Sequence, residues 1–281
     1  MVVRFGVSKV SVCLSLALVT ICTSRAQAAD DPELEQYFLA NAAYNRKLYP
    51  VAVAQFEGFL QKNASHPKAD LARRGLALSL YALKLYPKAI PHFDVLLAKP
   101  KLDKSINRER LIMLQGQCML NTGKKDEARK LFIEQQKNLK TPTFKTAALA
   151  KICDVSFGKS EWDVVIEWTA KLALAKLTPD QAARGLYQRG FAFYQTEKIK
   201  EAADSLAKVA SLDATPEWKT RAAYLLGECH VTLEQLDKAE AAFAAALPGM
   251  TGPDGATCQY RLGLTRYLLK KYELAIVDFE A

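Results

Sequence analysis

The chain has 281 residues, of which 50% are hydrophobic and 25% are charged, and its formal net charge is +9. This is ordinary globular composition, with enough length for a sizeable core or for an extended repeat array, and the low Gly and Pro content favours helix over strand. Lys and Arg are spread along the chain without the long basic run that marks a nucleic-acid patch, so the sequence argues against a nucleic-acid partner.

The first residues have the layout of a secretory signal peptide. Arg4 and Lys9 precede an uncharged apolar run (residues 10–22), and small residues follow as far as Ala28. The run is short for a membrane span. We therefore predict a signal peptide over residues 1–28, cleaved after Ala28, and a protein exported to the periplasm or secreted. An uncleaved N-terminal anchor is the alternative. Loss of the segment lowers the net charge to about +6.

The remainder of the chain repeats one pattern at intervals of 36–39 residues. Its anchor is a small apolar residue, found at Ala52, Ala89, Ala128, Val165, Ala202, Ala239 and Ala275. Four residues after each anchor come Phe56, Phe93, Phe132, Thr169, Leu206, Phe243 and Phe279. Thr169 alone is not a large apolar residue, and the nearby Trp162 and Trp168 are candidates to fill its volume.

A second pair of positions precedes each anchor. Twelve residues before it the chain is small, at Ala40, Ala77, Gly116, Cys153, Gly190, Gly227 and Gly263. Four residues after each small residue a bulky apolar one follows, at Tyr44, Tyr81, Leu120, Phe157, Tyr194, Val231 and Tyr267. A spacing of four places both members of a pair on one helical face. Short polar breaks separate the two pairs, so each unit is predicted to be an antiparallel helix pair.

Prolines refine the predicted helix starts. Pro50 and Pro87 fall where a second helix would begin, a position that tolerates a missing N–H. Pro91 lies deeper in the pattern, where it would cost helix stability. We therefore expect the second helix of that unit to start near Ala89.

These small, aromatic, Ala and Phe positions resemble the tetratricopeptide repeat, whose usual period is about 34 residues. The resemblance covers about residues 32–281 and implies an all-α fold, a right-handed α-solenoid of about seven helix-turn-helix repeats. The longer period is similar to that of periplasmic members that act in envelope assembly. The expected repeats cover approximately residues 32–66, 67–105, 106–142, 143–179, 180–216, 217–252 and, incompletely, 253–281.

The predicted seventh repeat ends soon after Phe279. A repeat array needs a terminal element that covers its last unit with polar surface. We therefore expect further repeats, or a different domain, to follow Ala281.

No catalytic, metal-binding or cofactor-binding motif stands out, so we expect no enzyme activity, no metal site and no cofactor. The cysteines beyond the predicted signal peptide are Cys118, Cys153, Cys229 and Cys258. Each lies in an apolar helical run, where a buried small hydrophobe is the simpler account. Export also permits disulfides, and a Cys118–Cys153 or Cys229–Cys258 bridge is the alternative.

In the family, first helices line a concave face that binds peptides or folded proteins. The resemblance places these residues on that face: Tyr37, Asn41, Tyr44, Arg74, Tyr81, Arg110, Arg184, Tyr187, Tyr194, Arg221, Tyr224, Tyr260 and Tyr267. Tyr and Arg are favoured at binding hot spots. The aromatic residues have an alternative role, packing between neighbouring first helices. Arg110, Arg184 and Arg221 occupy matching positions and are expected to face a ligand.

The resulting hypothesis is an exported, non-enzymatic scaffold of the cell envelope with a protein or peptide partner. It requires no nucleic acid and no small-molecule cofactor, and it meets a membrane only through the signal peptide or a partner. A second hypothesis makes the repeats the N-terminal targeting region of a longer multidomain enzyme or export machine. A third, based on the aromatic residues alone, is a binder of polysaccharide or lipid.

Overall fold

The computed structural model describes residues 32–281, so the predicted signal peptide lies outside the described residues. Those residues form fourteen α-helices and no strand, which confirms the predicted all-α class. The helices are α1 (Pro32–Asn45), α2 (Tyr49–Lys62), α3 (Ala69–Ala82), α4 (Tyr86–Ala98), α5 (Arg108–Asn121), α6 (Lys125–Glu134), α7 (Pro142–Phe157), α8 (Trp162–Leu172), α9 (Pro179–Gln195), α10 (Ile199–Ala210), α11 (Pro216–Thr232), α12 (Leu236–Ala246), α13 (Gly252–Leu268) and α14 (Tyr272–Glu280). Short 3₁₀ helices cover Gln136–Asn138 and Leu247–Gly249. None of the helices in this part of the chain is long and apolar enough to cross a membrane.

The helices fall into two compact units. The first unit ends at Lys124 and contains α1 to α5; the second, residues 125–281, contains α6 to α14. Within each unit every helix packs against the next one along the chain. First helices of neighbouring pairs also touch, α1 with α3 in the first unit and α7 with α9 and α9 with α11 in the second. Within each unit the helices therefore stack in chain order, as expected for tetratricopeptide-like repeats.

The repeated apolar positions form the core. All seven anchors are buried, and so are the residues four positions later, with one exception. Phe56, Phe93 and Phe243 have no exposed surface, whereas Phe279 on α14 is 47% exposed. Burial of one such side chain contributes roughly 1.5–3 kcal/mol, so these rings supply much of the stability of each pair.

The turn after each first helix has one recurring geometry. A residue with positive φ ends the helix at Lys47, Lys84, Gly123, Ser160, Glu197, Glu234 and Lys270. Its N–H and the next N–H bond back to two free carbonyls; Lys84 donates to Tyr81 and Leu85 to Leu80, both over 2.9 Å. This Schellman arrangement closes the helix end. Only Gly123 has the residue type that adopts this conformation without steric cost.

The predicted start of the helix that contains Pro91 is wrong. Pro50 and Pro87 lie in the first turn of α2 and α4, as predicted, but α4 begins at Tyr86 and carries Pro91 inside the helix. The side chains of Ala89 and Phe93 on either side of it are fully buried. Burial of this apolar face offsets the cost of one missing helical hydrogen bond, which is about 3 kcal/mol.

Trp162 and Trp168 were predicted to fill the volume that a Phe would occupy at the position of Thr169, and this prediction is also wrong. Thr169 is buried, and its hydroxyl donates to the carbonyl of Val165 over 2.6 Å. A cavity of about 170 Å³ remains beside it, and neither Trp162 nor Trp168 lines this cavity. Each indole has other neighbours: Trp162 lies against Phe157, and Trp168 lies under the ammonium of Lys171.

Candidate functional site

Five half-buried aromatic rings form a continuous surface in the second unit, which we call the aromatic surface. Its members are Phe157, Trp162, Tyr187, Phe191 and Trp218. The ring centroid of Phe157 lies 5.6 Å from Trp162, 5.3 Å from Phe191 and 6.5 Å from Tyr187. Tyr187 extends the surface to Trp218, and the centroids of these two rings lie 5.8 Å apart. Edge-on and tilted rings at these distances attract one another, which holds the surface in one shape.

The packing of first helices explains why these rings meet. Tyr187 and Phe191 lie one turn apart on α9, so they project from one face of that helix. α9 packs between α7, which ends at Phe157, and α11, which carries Trp218 in its first turn. Trp162 is the first residue of α8 and reaches Phe157 across the turn. Three helix pairs thus contribute to one surface.

Two arginines flank the Trp218 end of the aromatic surface. The guanidinium carbons of Arg184 and Arg221 lie 6.0 and 5.7 Å from the Trp218 ring centroid. Each also pairs with a carboxylate, Arg184 with Asp154 at 2.6 Å and Arg221 with Glu217 at 2.9 Å. About half of each arginine side chain stays exposed. Because a guanidinium has five N–H donors, both retain donors for a carboxylate of a partner.

The electrostatics of the surface follow from burial. Burial raises the pKa of Tyr187 above its usual value, and the positive charge of Arg221 opposes that rise. The phenol is therefore neutral at physiological pH and acts as a hydrogen-bonding group on an apolar ring. The Nε2 amide group of Gln188 donates to Asp154 over 3.0 Å, which fixes the carboxylate that orients Arg184.

Three of the tyrosines predicted to face a ligand pack on another tyrosine within their own helix pair. Tyr44 lies against Tyr49, Tyr81 against Tyr86 and Tyr267 against Tyr272, with centroids 5.6–5.8 Å apart. In each case the partner is the first residue of the second helix. Phe157 and Trp162 form the corresponding pair between α7 and α8. These aromatic residues therefore close the turn, and only the Phe157 pair is extended into a wider surface.

Other predicted residues have structural partners too. In the first unit Tyr37 is buried, with its ring 5.6 Å from Phe59, and Asn41 donates to the Tyr37 carbonyl over 2.8 Å. Arg74 donates to the carbonyl of Ser105 over 3.0 Å. Tyr37 is therefore closed to a partner, whereas Asn41 and Arg74 are half-buried.

Arg110, in contrast, is exposed at the start of α5. Its backbone N–H is capped by the Asn107 side chain over 2.9 Å. Arg110 is thus the predicted residue of the first unit whose side chain stays open to solvent.

Towards the end of the chain the predicted tyrosines lie beside the core. Tyr224 packs on Phe243 at 5.8 Å, and Tyr260 packs on Phe279 at 5.8 Å and stays 56% exposed. Tyr194 is half-buried near Glu228, and burial is the main reason that its pKa is raised. These residues form separate contacts and not one surface.

Phe157, Trp162 and Trp218 were not predicted from the sequence as members of the site. Trp162 occupies the position of Tyr49 and Tyr86, the turn-closing aromatic residues, so its partner Phe157 was identifiable from the repeat alignment. Trp218 lies at the start of the expected repeat 217–252, outside the four repeated positions, and no periodic signal marks it. It joins the site only because α11 packs on α9.

The side chains that bind metals or act as nucleophiles do not assemble into a site in the described part of the chain. No group of three His, Cys, Asp or Glu there is arranged to hold a metal ion. The four cysteines are free and buried, which agrees with the simpler of the two interpretations above. Burial raises the pKa of Cys118 and Cys258 to about 11 and that of Cys153 and Cys229 to about 12. Neutral, buried thiols are poor nucleophiles.

Comparisons with known proteins agree with this architecture. Residues 37–103 and 187–252 match the sequence model of the tetratricopeptide repeat. No curated protein matches the chain in sequence. Among solved structures, the C-terminal part of a TPR repeat-containing protein from Cytophaga hutchinsonii is 15% identical, with a TM-score of 0.55, and the match covers 85% of this chain and 90% of that one.

Two further structures share the fold. The apo form of RapI is 10% identical with a TM-score of 0.56, and the match covers 89% of this chain and 75% of RapI. MamA is 20% identical with a TM-score of 0.50, and the match covers 59% of this chain and 90% of MamA. Identities this low show a common fold and do not carry a function across.

Proposed function

Because this chain belongs to the tetratricopeptide repeat family, we propose that it is a non-enzymatic scaffold that binds a segment of a partner protein on the aromatic surface. The observation that carries the proposal is the cluster of five half-buried rings with two half-exposed guanidinium groups beside it. Aromatic and Arg side chains in partly desolvated clusters dominate the energy of protein interfaces. The surface would correspond to part of the concave face that such repeats use.

The chemistry of the surface defines the segment. Its rings suit aliphatic or aromatic side chains, and Arg184 and Arg221 suit carboxylates. Arg184 and Arg221 lie on successive first helices, so an extended segment that crosses α9 and α11 would meet both in turn. We therefore expect a segment that combines acidic residues with large apolar ones.

A peptide selection tests this proposal. The purified protein is used to select binders from a random peptide library displayed on phage, and the dissociation constants of the selected peptides are measured by fluorescence anisotropy. We expect peptides rich in Asp or Glu next to large apolar residues. Trp218→Ala should raise their dissociation constants about 30-fold, the loss typical of a hot-spot residue. Arg221→Glu should weaken them as well, without loss of a core contact.

Lys238→Ala is the matched control, because Lys238 is an exposed cation on α12. Circular dichroism confirms that each variant is folded. The proposal fails if the library yields no binder, or if the selected peptides bind the Trp218→Ala and Arg221→Glu variants as tightly as the unchanged protein.

We also propose that the protein is exported and acts in the cell envelope. The support is the signal-peptide layout of residues 1–28, with its basic, apolar and small-residue segments in order. N-terminal sequencing of the protein isolated from its own cells should begin at Ala29. A sequence that begins at Met1 or Val2 would contradict cleavage after Ala28.

A further inference from the structure

A second candidate site lies in the second unit, near the ends of its first three helices. It is a cleft of about 700 Å³ between the end of α6, the start of α7 and the end of α8. Four lysines are among the residues that line it: Lys140, Lys145, Lys171 and Lys176. We call it the lysine cleft. It shares no residue with the aromatic surface or with the ligand-facing residues predicted from the sequence.

The charge of the lysine cleft is almost uncompensated. No Asp or Glu is among the residues that line it. Lys171 pairs with Glu167 outside the cleft at 2.5 Å, whereas Lys140, Lys145 and Lys176 have no ion pair within residues 32–281. A concave site lined by one sign of charge concentrates ions of the opposite sign. The cleft therefore favours an anion.

Apolar side chains form the other part of the cleft. Leu149 is buried in its floor, and the half-buried ring of Trp168 lies beside it. Lys171 Nζ lies 3.9 Å from the centroid of that ring, so a cation–π contact holds the ammonium over the indole. Leu174 at the rim is 90% exposed, although it is a large aliphatic residue. An apolar body in the cleft would cover these groups.

We propose that the lysine cleft binds a small amphiphilic anion, with one carboxylate or phosphate head and an aliphatic chain. The head lies among the lysines, and the chain lies along Leu149, Trp168 and Leu174. The volume of the cleft is within the range of about 300–1,000 Å³ that is usual for small-molecule sites. This site is independent of the partner-binding surface proposed above and goes beyond a scaffold role.

Isothermal titration calorimetry of the whole protein with decanoate below its micelle concentration tests the proposal. Decanol, with the same chain and no charge, is the matched ligand, and decyl phosphate shows which head group binds more tightly. The test variant carries Lys140→Gln, Lys145→Gln and Lys176→Gln. The control variant carries Lys200→Gln, Lys208→Gln and Lys238→Gln, three exposed lysines on α10 and α12. Both triple variants change the net charge equally.

We expect the test variant to raise the dissociation constant of decanoate about tenfold, which corresponds to about 1.4 kcal/mol. The control variant should change it less than twofold, and weak binding of decanol should be the same in both. Leu174→Asp, at a side chain that is almost fully exposed, should weaken both ligands because it removes apolar wall. Equal binding of decanoate by the two triple variants would overturn the proposal, and so would the absence of binding by the unchanged protein.

Sedimentation with phosphatidylglycerol vesicles forms the last arm. If the unchanged protein sediments with vesicles but binds no monomeric decanoate or decyl phosphate, the lysines recognise a membrane surface and the proposed small-molecule site is wrong. The peptide measurements above do not depend on these lysines, so failure here leaves the proposed function intact.

Discussion

The fourth and sixth helix pairs lie in the same unit but differ in the sizes of the residues at two matching repeat positions. In the sixth pair, α11 and α12, Gly227 faces Phe243, and a Cβ at Gly227 would lie 2.6 Å from the ring. In the fourth pair, α7 and α8, the matching residues are Cys153 and Thr169, and a cavity of about 170 Å³ adjoins Thr169. The fold therefore tolerates either arrangement.

The fourth pair, beside which the cavity lies, also contributes to both the aromatic surface and the lysine cleft. The Phe157 and Trp162 rings belong to α7 and α8, and the same two helices supply half of the residues that line the lysine cleft. Departures from regular packing often coincide with functional positions, where a protein gives up some stability. We therefore expect binding to depend on the irregular repeat and stability to depend on the regular repeats.

The largest expected effect is at the regular pair. Phe243→Ala should lower the free energy of unfolding by about 4 kcal/mol, because the ring is fully buried and its loss leaves a cavity. Phe279→Ala is the control: the same residue type at the matching position is 47% exposed, and we expect a loss of about 1 kcal/mol. Urea denaturation followed by circular dichroism measures both. Equal losses would show that burial does not distinguish the two positions.

A smaller effect tests the close approach of the two helices. Gly227→Ala should cost roughly 2 kcal/mol, because the added methyl overlaps a fully buried ring. Cys153→Ala, the matching change in the irregular pair, should cost no more than about 1 kcal/mol, since the methyl replaces a larger group. If Gly227→Ala is neutral by the same denaturation assay, the contact between Gly227 and Phe243 is looser than described.

The smallest effect concerns the cavity of the irregular pair. Thr169→Leu should raise the free energy of unfolding by about 1 kcal/mol, because the longer side chain can enter the cavity. The Thr169 hydroxyl bonds only to carbonyls of its own helix, so its removal leaves no donor unpaired. Thr169→Val is the control, because it removes the hydroxyl without lengthening the side chain. A Leu variant no more stable than the Val variant would show that the cavity cannot be filled from this position.

The sequence predicted the repeated core well, because each helix pair obeys the same local rule. A small residue and a bulky residue four positions apart can share only one helical face, and the seven-fold recurrence of that spacing identified both helices of each pair. The predicted start of the fourth helix was wrong for a reason that spacing cannot reveal. Packing around Ala89 and Phe93 overrides the local preference of Pro91, and that packing belongs to the tertiary structure.

The candidate site was only partly predictable. Tyr187, Arg184 and Arg221 were identified from their repeat positions, and the structure brings them together beside Trp218. The repeat could not distinguish them from Tyr44 or Tyr81, which occupy an equally regular position but close a turn. The lysine cleft has no periodic signature, since its lysines come from loops and helix ends whose approach depends on the fold.

The four cysteines have one more consequence. Oxidants and disulfide exchange enzymes act on thiolates that they can reach, and all four cysteine sulfurs in residues 32–281 are enclosed, with pKa values that burial raises. While these residues stay folded, their thiols are poor substrates for disulfide exchange.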